Sequence, residues 1–392
     1  MRLLRATAGA FAAAILPVAL AAASMARAEP ITPRRDDEVI EVLPATSAMR
    51  SEDRQLRKRL AERPNDPRLA TMVAERYFAQ ARESGDPRYA GLALAALRAW
   101  PDAATAPDEM LFLRATLEQY LHEFDAAVGH LRVLLARPGS ARRPQAWLTL
   151  ATVLRVQGRY AESDVACREV GRAGADVYAG GCLAENAALR GETAAARRSF
   201  QALLAAPRLS PGTRGWLLTS LAELEERDGR TAAADAGYRE VLRVGPDTYA
   251  AIAYADFLIA QKRPVEAMAV LRGEARSDPV LLRLAIAGTQ ANAASRDRDV
   301  AEMRERIALA NERPEARVFH GREQAMFALA IERDPERALE LARGDVARQR
   351  EPLDLLVLAE AARASGRREA IEEARRLKAS LGLHDRRIDA LL

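Results

Sequence analysis

The stretch that decides the fold is AWLTLATVLRVQGRYAESDVACREV, residues 146–170. Its residue types favour helix on both sides of Gly158, yet glycine is a poor residue for a helix interior. A left-handed turn between two helices is the position that suits glycine best. Ala151 before the turn and Ser163 after it are small, so the two helices can approach closely. The stretch therefore predicts a helical hairpin with Gly158 at its turn.

The same context recurs along the chain. Further turn positions follow Gly158 at spacings of 33, 38 and 33 residues, namely Gly191, Gly229 and Lys262. Small residues recur seven before and five after each turn: Ala151, Ala184, Ala222 and Ala255, then Ser163, Ala196, Ala234 and Ala267. Larger side chains recur nine after it: Cys167, Phe200, Tyr238 and Leu271. Because one hairpin cannot bury its apolar faces alone, the hairpins must stack, and each is expected to contact its neighbours alone.

This pattern resembles the tetratricopeptide repeat, with its Trp-x2-Leu-Gly-x2-Tyr, Gly-x-Tyr and Ala-x3-Phe elements. The matching positions, in order, are Trp147, Leu150, Ala151, Leu154, Gly158, Tyr160, Ser163 and Cys167. The resemblance is clearest over residues 144–280 and weakest over 281–317, which we interpret as a degenerate pair. It implies an all-α, right-handed α-solenoid of stacked helix-turn-helix repeats, with roughly nine helix pairs over residues 51–392.

The N-terminal residues 1–28 have the pattern of a secretory signal peptide. Arg2 and Arg5 precede an apolar run over residues 6–23, and small residues surround a cleavage position after Ala28. The alternative is an uncleaved membrane anchor, which Pro17 and the alanine-dominated run disfavour. We therefore predict export to the periplasm, an irregular arm over residues 29–50, and no integral membrane segment after cleavage.

The charge balance excludes one class of partner. The whole chain carries a net charge of +4, but three of its arginines lie within residues 1–28. The remainder holds 56 basic and 55 acidic residues, and no basic stripe is interleaved with aromatic residues. Nucleic acid is therefore not an expected partner.

The sequence contains no recognisable catalytic or cofactor motif. It has no phosphate-binding loop, no nucleophile elbow and no dinucleotide fingerprint. Its four histidines are scattered, at positions His122, His130, His320 and His384. His122 and His130 lack acidic or cysteine partners at ligand spacing, so we place them at a turn and on a helix surface. We expect neither an enzyme, nor a metal site, nor a cofactor.

The resemblance assigns ligand binding to a concave groove lined by the first helix of each pair. Its second repeat position holds aromatic residues in three consecutive units: Tyr178, Trp216 and Tyr249. Its ninth position holds acidic residues: Glu185, Glu223 and Asp256. Such rows favour an extended protein segment with basic and apolar side chains. In the alternative interpretation, the aromatic residues cap helix starts and the acidic residues are ordinary helix surface.

Two functions fit these features. The first is a non-catalytic periplasmic scaffold or adaptor that binds a protein partner in the cell envelope through its concave groove. The second is a helper of polysaccharide or cell-wall export and assembly, in which the aromatic row stacks on sugars. The fold alone does not choose between them, or exclude a purely architectural role.

The two cysteines, Cys167 and Cys182, are predicted to form a disulfide. An exported protein meets an oxidising compartment, and the two residues stand level on either side of a turn around Gly174. Gly180 and Gly181 would let the two backbones approach. The alternative is a pair of buried, reduced cysteines that act as small apolar fillers.

Overall fold

The computed structural model describes residues 51–84, 86–245, 247–312 and 321–392. The predicted signal peptide and N-terminal arm, over residues 1–50, and His320 lie outside the described residues. The chain divides into two units, Met1–Met49 and Arg50–Leu392, and every described helix belongs to the second. Among the helices of the described ranges, none combines the length and apolar character needed to cross a membrane.

The described residues form helices and contain no strand. The helices are α1 Ser51–Glu62, α2 Pro67–Ser84, α3 Pro87–Ala96, α4 Asp108–Tyr120, α5 Phe124–Ala136, α6 Arg143–Val156, α7 Tyr160–Arg172, α8 Asp176–Leu189, α9 Thr193–Leu204, α10 Pro211–Arg227, α11 Thr231–Val244, α12 Thr248–Ala260, α13 Pro264–Leu271, α14 Asp278–Ala291, α15 Arg296–Asn311, α16 Gly321–Phe327, α17 Pro335–Val346, α18 Pro352–Ser365, α19 Arg368–Leu381 and α20 Arg386–Leu391. A π-helical turn, Ala328–Glu332, continues α16. Helices α2 to α19 form nine consecutive pairs in the described ranges, each with an even-numbered first helix. The predicted all-α solenoid is confirmed.

The turns inside the pairs lie where the repeat predicts them. The backbone is left-handed at each, with φ values of 76° at Gly158, 86° at Gly191, 75° at Gly229 and 59° at Lys262. The helices on either side approach closely, as expected, because the flanking residues are small. In the first of these hairpins, the hydroxyl of Ser163 donates a 2.7 Å hydrogen bond to the carbonyl of Ala151 across the seam. The weak segment predicted over 281–317 contributes a regular pair, α14 with α15.

The larger repeat positions fill the seams between pairs. The side chains of Cys167, Phe200, Tyr238 and Leu271 are at most 1% exposed. Their burial removes apolar surface from water at every junction, which is the main source of stability in a stacked array.

The expectation that each pair contacts its neighbours alone is wrong. The backbone N–H of Arg350 donates a 2.7 Å hydrogen bond to the carbonyl of Val156, on α6. The N–H of His384 donates a bond of the same length to the carbonyl of Leu189, at the end of α8. Tyr160 and Leu189 are buried in the same apolar cluster as side chains of α17, α18 and α19. Small rotations between successive pairs accumulate, so the C-terminal pairs return to the middle of the array.

Candidate functional site

The return of the C-terminal helices leaves a cavity of about 320 Å³, which we call the interior chamber. Most of its wall comes from the first helices of the pairs α6/α7 to α14/α15, faced by side chains of α16, α18 and α20. Five arginines and six carboxylates line it: Arg155, Arg227, Arg283, Arg322 and Arg387, with Glu185, Glu223, Glu226, Asp256, Glu323 and Glu351. The chamber is therefore rich in charged side chains and close to electrically balanced.

Tyr249 and Glu223 form the most accessible part of the predicted groove. The Tyr249 side chain lines the chamber and is 61% exposed. Its hydroxyl donates a 2.7 Å hydrogen bond to Glu223 Oε1. The charge of Glu223 holds the pKa of Tyr249 well above its usual value, and Glu351, at the N-terminus of α18, acts in the same direction. Water thus reaches the ring, while charges on both walls of the chamber act on its hydroxyl.

Glu223 is the least compensated of the three predicted acids. Burial raises the pKa of its carboxyl, and the charges of Glu185 and Glu226 raise it further. Its one arginine neighbour, Arg227, stands 3.8 Å away, near the limit for an ion pair. A cationic group placed beside Glu223 would therefore form an ion pair with a carboxylate that is incompletely paired within the chain.

The other two predicted acids are already paired with arginines of the chain. Glu185 lies 2.6 Å from the guanidinium of Arg155, and Asp256 accepts hydrogen bonds of 2.9 and 2.8 Å from Arg283. Sequence reasoning missed both arginines because they do not recur at matching repeat positions. Arg283 did leave a signal, since it interrupts the apolar run over residues 280–287. A charge in such a run usually has a buried partner.

Trp216 and Tyr178 lie beside the chamber. The Trp216 indole N–H donates a 2.9 Å hydrogen bond to Glu185, and the Tyr178 ring stacks on the indole at a centroid distance of 5.9 Å. The indole also packs against Gly181, where an added methyl group would lie 2.3 Å from the ring. The structure thus brings the aromatic and acidic rows together, but Trp216 is engaged by the chain itself.

The wall formed by α16 to α18 contains a buried cluster of charges around Arg322. This guanidinium lies 3.0 Å from Asp354 and 3.1 Å from Glu351. Burial raises the pKa of Asp354 well above its usual value and that of Asp345 to about 6. Burial is the larger effect at both carboxyls, although the charge of Arg322 opposes it.

Two of the histidines that the structure describes, His122 and His130, lie at structural positions. His122 is in the left-handed turn between α4 and α5 and stacks on Phe124. His130, for which the sequence shows no acidic or cysteine partner at metal-ligand spacing, forms a 2.7 Å contact through Nδ1 with Glu118. Within the described ranges, no group of three histidine, cysteine, aspartate or glutamate side chains could hold a metal ion.

Cys167 and Cys182 form a disulfide between α7 and α8 in the structure, with their Cα atoms 5.7 Å apart. Both residues are fully buried. The expected role of the adjacent glycines is wrong, because Gly181 packs against Trp216 of α10 and Gly180 faces α9. These glycines therefore admit side chains of the next pairs rather than the backbone that carries Cys167.

No protein-family profile matches the sequence, and no curated protein matches it significantly. Among solved structures, a tetratricopeptide repeat protein from Parabacteroides merdae is 15% identical, covers 69% of this chain and 98% of its own, and has a TM-score of 0.36. The P58(IPK) TPR domain is 15% identical, with coverages of 84% and 93% and a TM-score of 0.21. Naa15/Naa10 bound to HypK-THB is 16% identical, with coverages of 86% and 62% and a TM-score of 0.25. Similarities at this level say nothing about what the chain binds.

Proposed function

We propose that this chain is a non-catalytic periplasmic scaffold that binds a protein partner of the cell envelope through the wall of the interior chamber. The observation that carries the proposal is the pair formed by Tyr249 and Glu223. It combines an aromatic ring that is 61% exposed with a carboxylate whose arginine neighbour, Arg227, stands 3.8 Å away. Accessible aromatic side chains beside an available charge are typical anchors of protein interfaces.

The chemistry of the chamber narrows the class of partner. Glu185 and Asp256 are neutralised by arginines of the chain, so attraction of a cation falls chiefly on Glu223. Ile252 and Ala253 provide apolar lining. A segment with one lysine or arginine next to a small apolar residue fits this arrangement better than a highly basic segment.

The structure lends less support to the polysaccharide alternative. Sugar stacking needs an aromatic face that is free of other contacts. The indole of Trp216 is covered by Tyr178 and packed on Gly181, and its N–H is bonded to Glu185. Tyr249 remains available, but a single ring is a weak platform for a glycan chain.

The periplasmic location rests on the sequence of residues 1–28 and on the compatibility of a disulfide with an oxidising compartment. A fusion of residues 1–28 to alkaline phosphatase, which is active only after export, tests it. We expect phosphatase activity and a mature N-terminus at Glu29. An inactive fusion retained in the cytoplasm would contradict export.

Site-specific photo-crosslinking tests partner binding. A benzoylphenylalanine at position 249 should crosslink an envelope protein in living cells. The same probe at Val165, which is 51% exposed on the second helix α7, is the matched control. We expect a distinct adduct at 249 that is absent at 165 and weakened by Glu223→Gln. The same adducts at both positions, insensitive to Glu223→Gln, would contradict binding through the chamber.

A further inference from the structure

Three consecutive turn glycines are covered by side chains of one C-terminal segment, residues 381–392, which we call the strap. Leu381 lies over Gly158, His384 over Gly191 and Arg386 over Gly229. A methyl group added at these glycines would lie 2.5, 3.3 and 3.4 Å, respectively, from the covering side chain. The strap therefore follows the turns of the pairs α6/α7, α8/α9 and α10/α11 in register.

The strap uses different chemistry on its two sides. Leu383 and Ile388 are 3% and 1% exposed and join the buried cluster of α17 to α19. Towards the turns, Arg387 forms a 2.6 Å ion pair with Glu226. His384 Nε2 lies 3.5 Å from Asp228 on the same side. The strap is thus fastened to its own pairs by apolar packing and to the turns largely by polar contacts.

Polar contacts of this kind can separate while the apolar side stays folded. Interfaces within a chain that resemble transient protein interfaces permit relative motion. The apolar share of the contact comes from Tyr160, Leu189 and the side chain of Leu381 over Gly158. The polar share comes from backbone hydrogen bonds of Arg350 and His384, from the pair of Arg387 with Glu226, and from the approach of His384 to Asp228.

The strap also limits the interior chamber, because Arg387 is part of its wall. A volume of about 320 Å³ is at the small end of sites for single small molecules. A stable protein interface buries about 800 Å² on each partner. With the strap in place, the chamber is therefore too narrow to accept a protein segment with such an interface.

We propose that the strap is an autoinhibitory contact, which keeps the chamber narrow and must leave the turns before a protein segment can enter. The proposal rests on the proposed function for the identity of the occupant. The release of the strap itself is measurable without a partner.

Hydrogen exchange of the His384 and Arg350 amides tests the release, since both bond to the middle pairs. The variant Arg387→Glu places two carboxylates together and should accelerate exchange at His384 by about tenfold or more. Adding Glu226→Arg to it restores a pair of opposite charges and should return exchange most of the way to wild type.

Two control variants accompany these measurements. Glu226→Arg alone is measured, because Glu226 also accepts a hydrogen bond from Tyr238. Arg343→Glu, which breaks a pair between α17 and α19, is the matched control and should leave exchange unchanged.

Unchanged exchange at His384 in a folded Arg387→Glu protein would overturn the proposal, as would equal acceleration by Arg343→Glu. If Arg387→Glu does not fold, hydrogen exchange of the wild-type His384 amide is measured at increasing salt concentration instead. Salt screens ion pairs, so exchange should become faster if the strap is held by an ion pair and should not if it is held by apolar packing. Photo-crosslinking at position 249 should increase in Arg387→Glu, and also in Leu381→Ala, which loosens the strap without changing the charge of the chamber wall. Faster exchange without increased crosslinking would overturn the inhibitory role and leave the proposed partner binding to be judged by the wild-type adduct.

Discussion

The indole N–H of Trp216 bonds to Glu185 at 2.9 Å, which joins the first helices of two adjacent pairs. The same relationship recurs one pair later, where the hydroxyl of Tyr249 bonds to Glu223 at 2.7 Å. In both of these pairs, the aromatic side chain reaches back to the acid of the preceding pair. The two rows along the groove stabilise the stacking as well as shaping a surface.

Replacing Trp216 tests that structural role. Trp216→Ala removes a half-buried ring from Gly181 and should lower the free energy of unfolding by about 2 kcal/mol. Trp216→Phe keeps most of the packing and loses the hydrogen bond, so it should cost about 1 kcal/mol. Urea denaturation followed by circular dichroism measures both. Unchanged stability with abolished crosslinking at position 249 would instead identify Trp216 as a ligand anchor.

Substitutions at two turn glycines can distinguish the energetic cost of a left-handed backbone from the cost of a clash with the strap. Gly158 and Gly366 have φ values of 76° and 67°, but an added methyl group meets Leu381 at Gly158 and nothing within 4 Å at Gly366. Alanine at either position should cost about 1 kcal/mol for the left-handed backbone. Gly158→Ala should cost more, and Leu381→Ala should recover the excess. Equal losses of unfolding free energy for the two alanine variants, in thermal or urea denaturation, would show that the Leu381 side chain moves away from the added methyl group at no cost.

The Asp345 carboxyl predicts a pH dependence of stability. Burial raises its folded-state pKa to about 6, whereas an unfolded chain titrates near 4. The folded state therefore binds the proton more tightly, and this contribution is present below about pH 4 and lost as the pH rises through about 6. We expect the urea midpoint to rise from pH 7 to pH 5, and Asp345→Asn to reduce that rise while stabilising the protein at pH 7. Glu305→Gln, at an exposed position of α15, should retain the wild-type profile.

The fold could be predicted from the sequence because its determinants are local and repeated. Three features recur in register: a residue that tolerates a left-handed backbone, small residues on either side of it, and a bulky residue after it. Each repeat therefore supports the interpretation of the others. Lys262 shows the strength of that register, since its turn is left-handed without a glycine.

The state of the groove could not be predicted in the same way. The return of the strap depends on rotations summed over many pairs, and no single repeat encodes that sum. The pairing of Glu185 with Arg155 and of Asp256 with Arg283 was missed for a related reason. Arg155 and Arg283 have no arginine at the equivalent positions of the other repeats, so an alignment of the repeats does not mark them as functional.

The disulfide between Cys167 and Cys182 is expected to stabilise the fold and to protect both thiols. It closes a loop with a sequence separation of 15 residues, which should stabilise the fold by about 3 kcal/mol in the chain-entropy model. Protein purified from the periplasm should resist alkylation in denaturant until a reductant is added, and intact mass then rises by two alkyl groups. The double variant Cys167→Ala/Cys182→Ala should lower the urea midpoint as reduction does, because both remove the same cross-link from the unfolded chain. Alkylation of both thiols without reductant would show that the bond is absent, and the pair would then be a buried apolar filler.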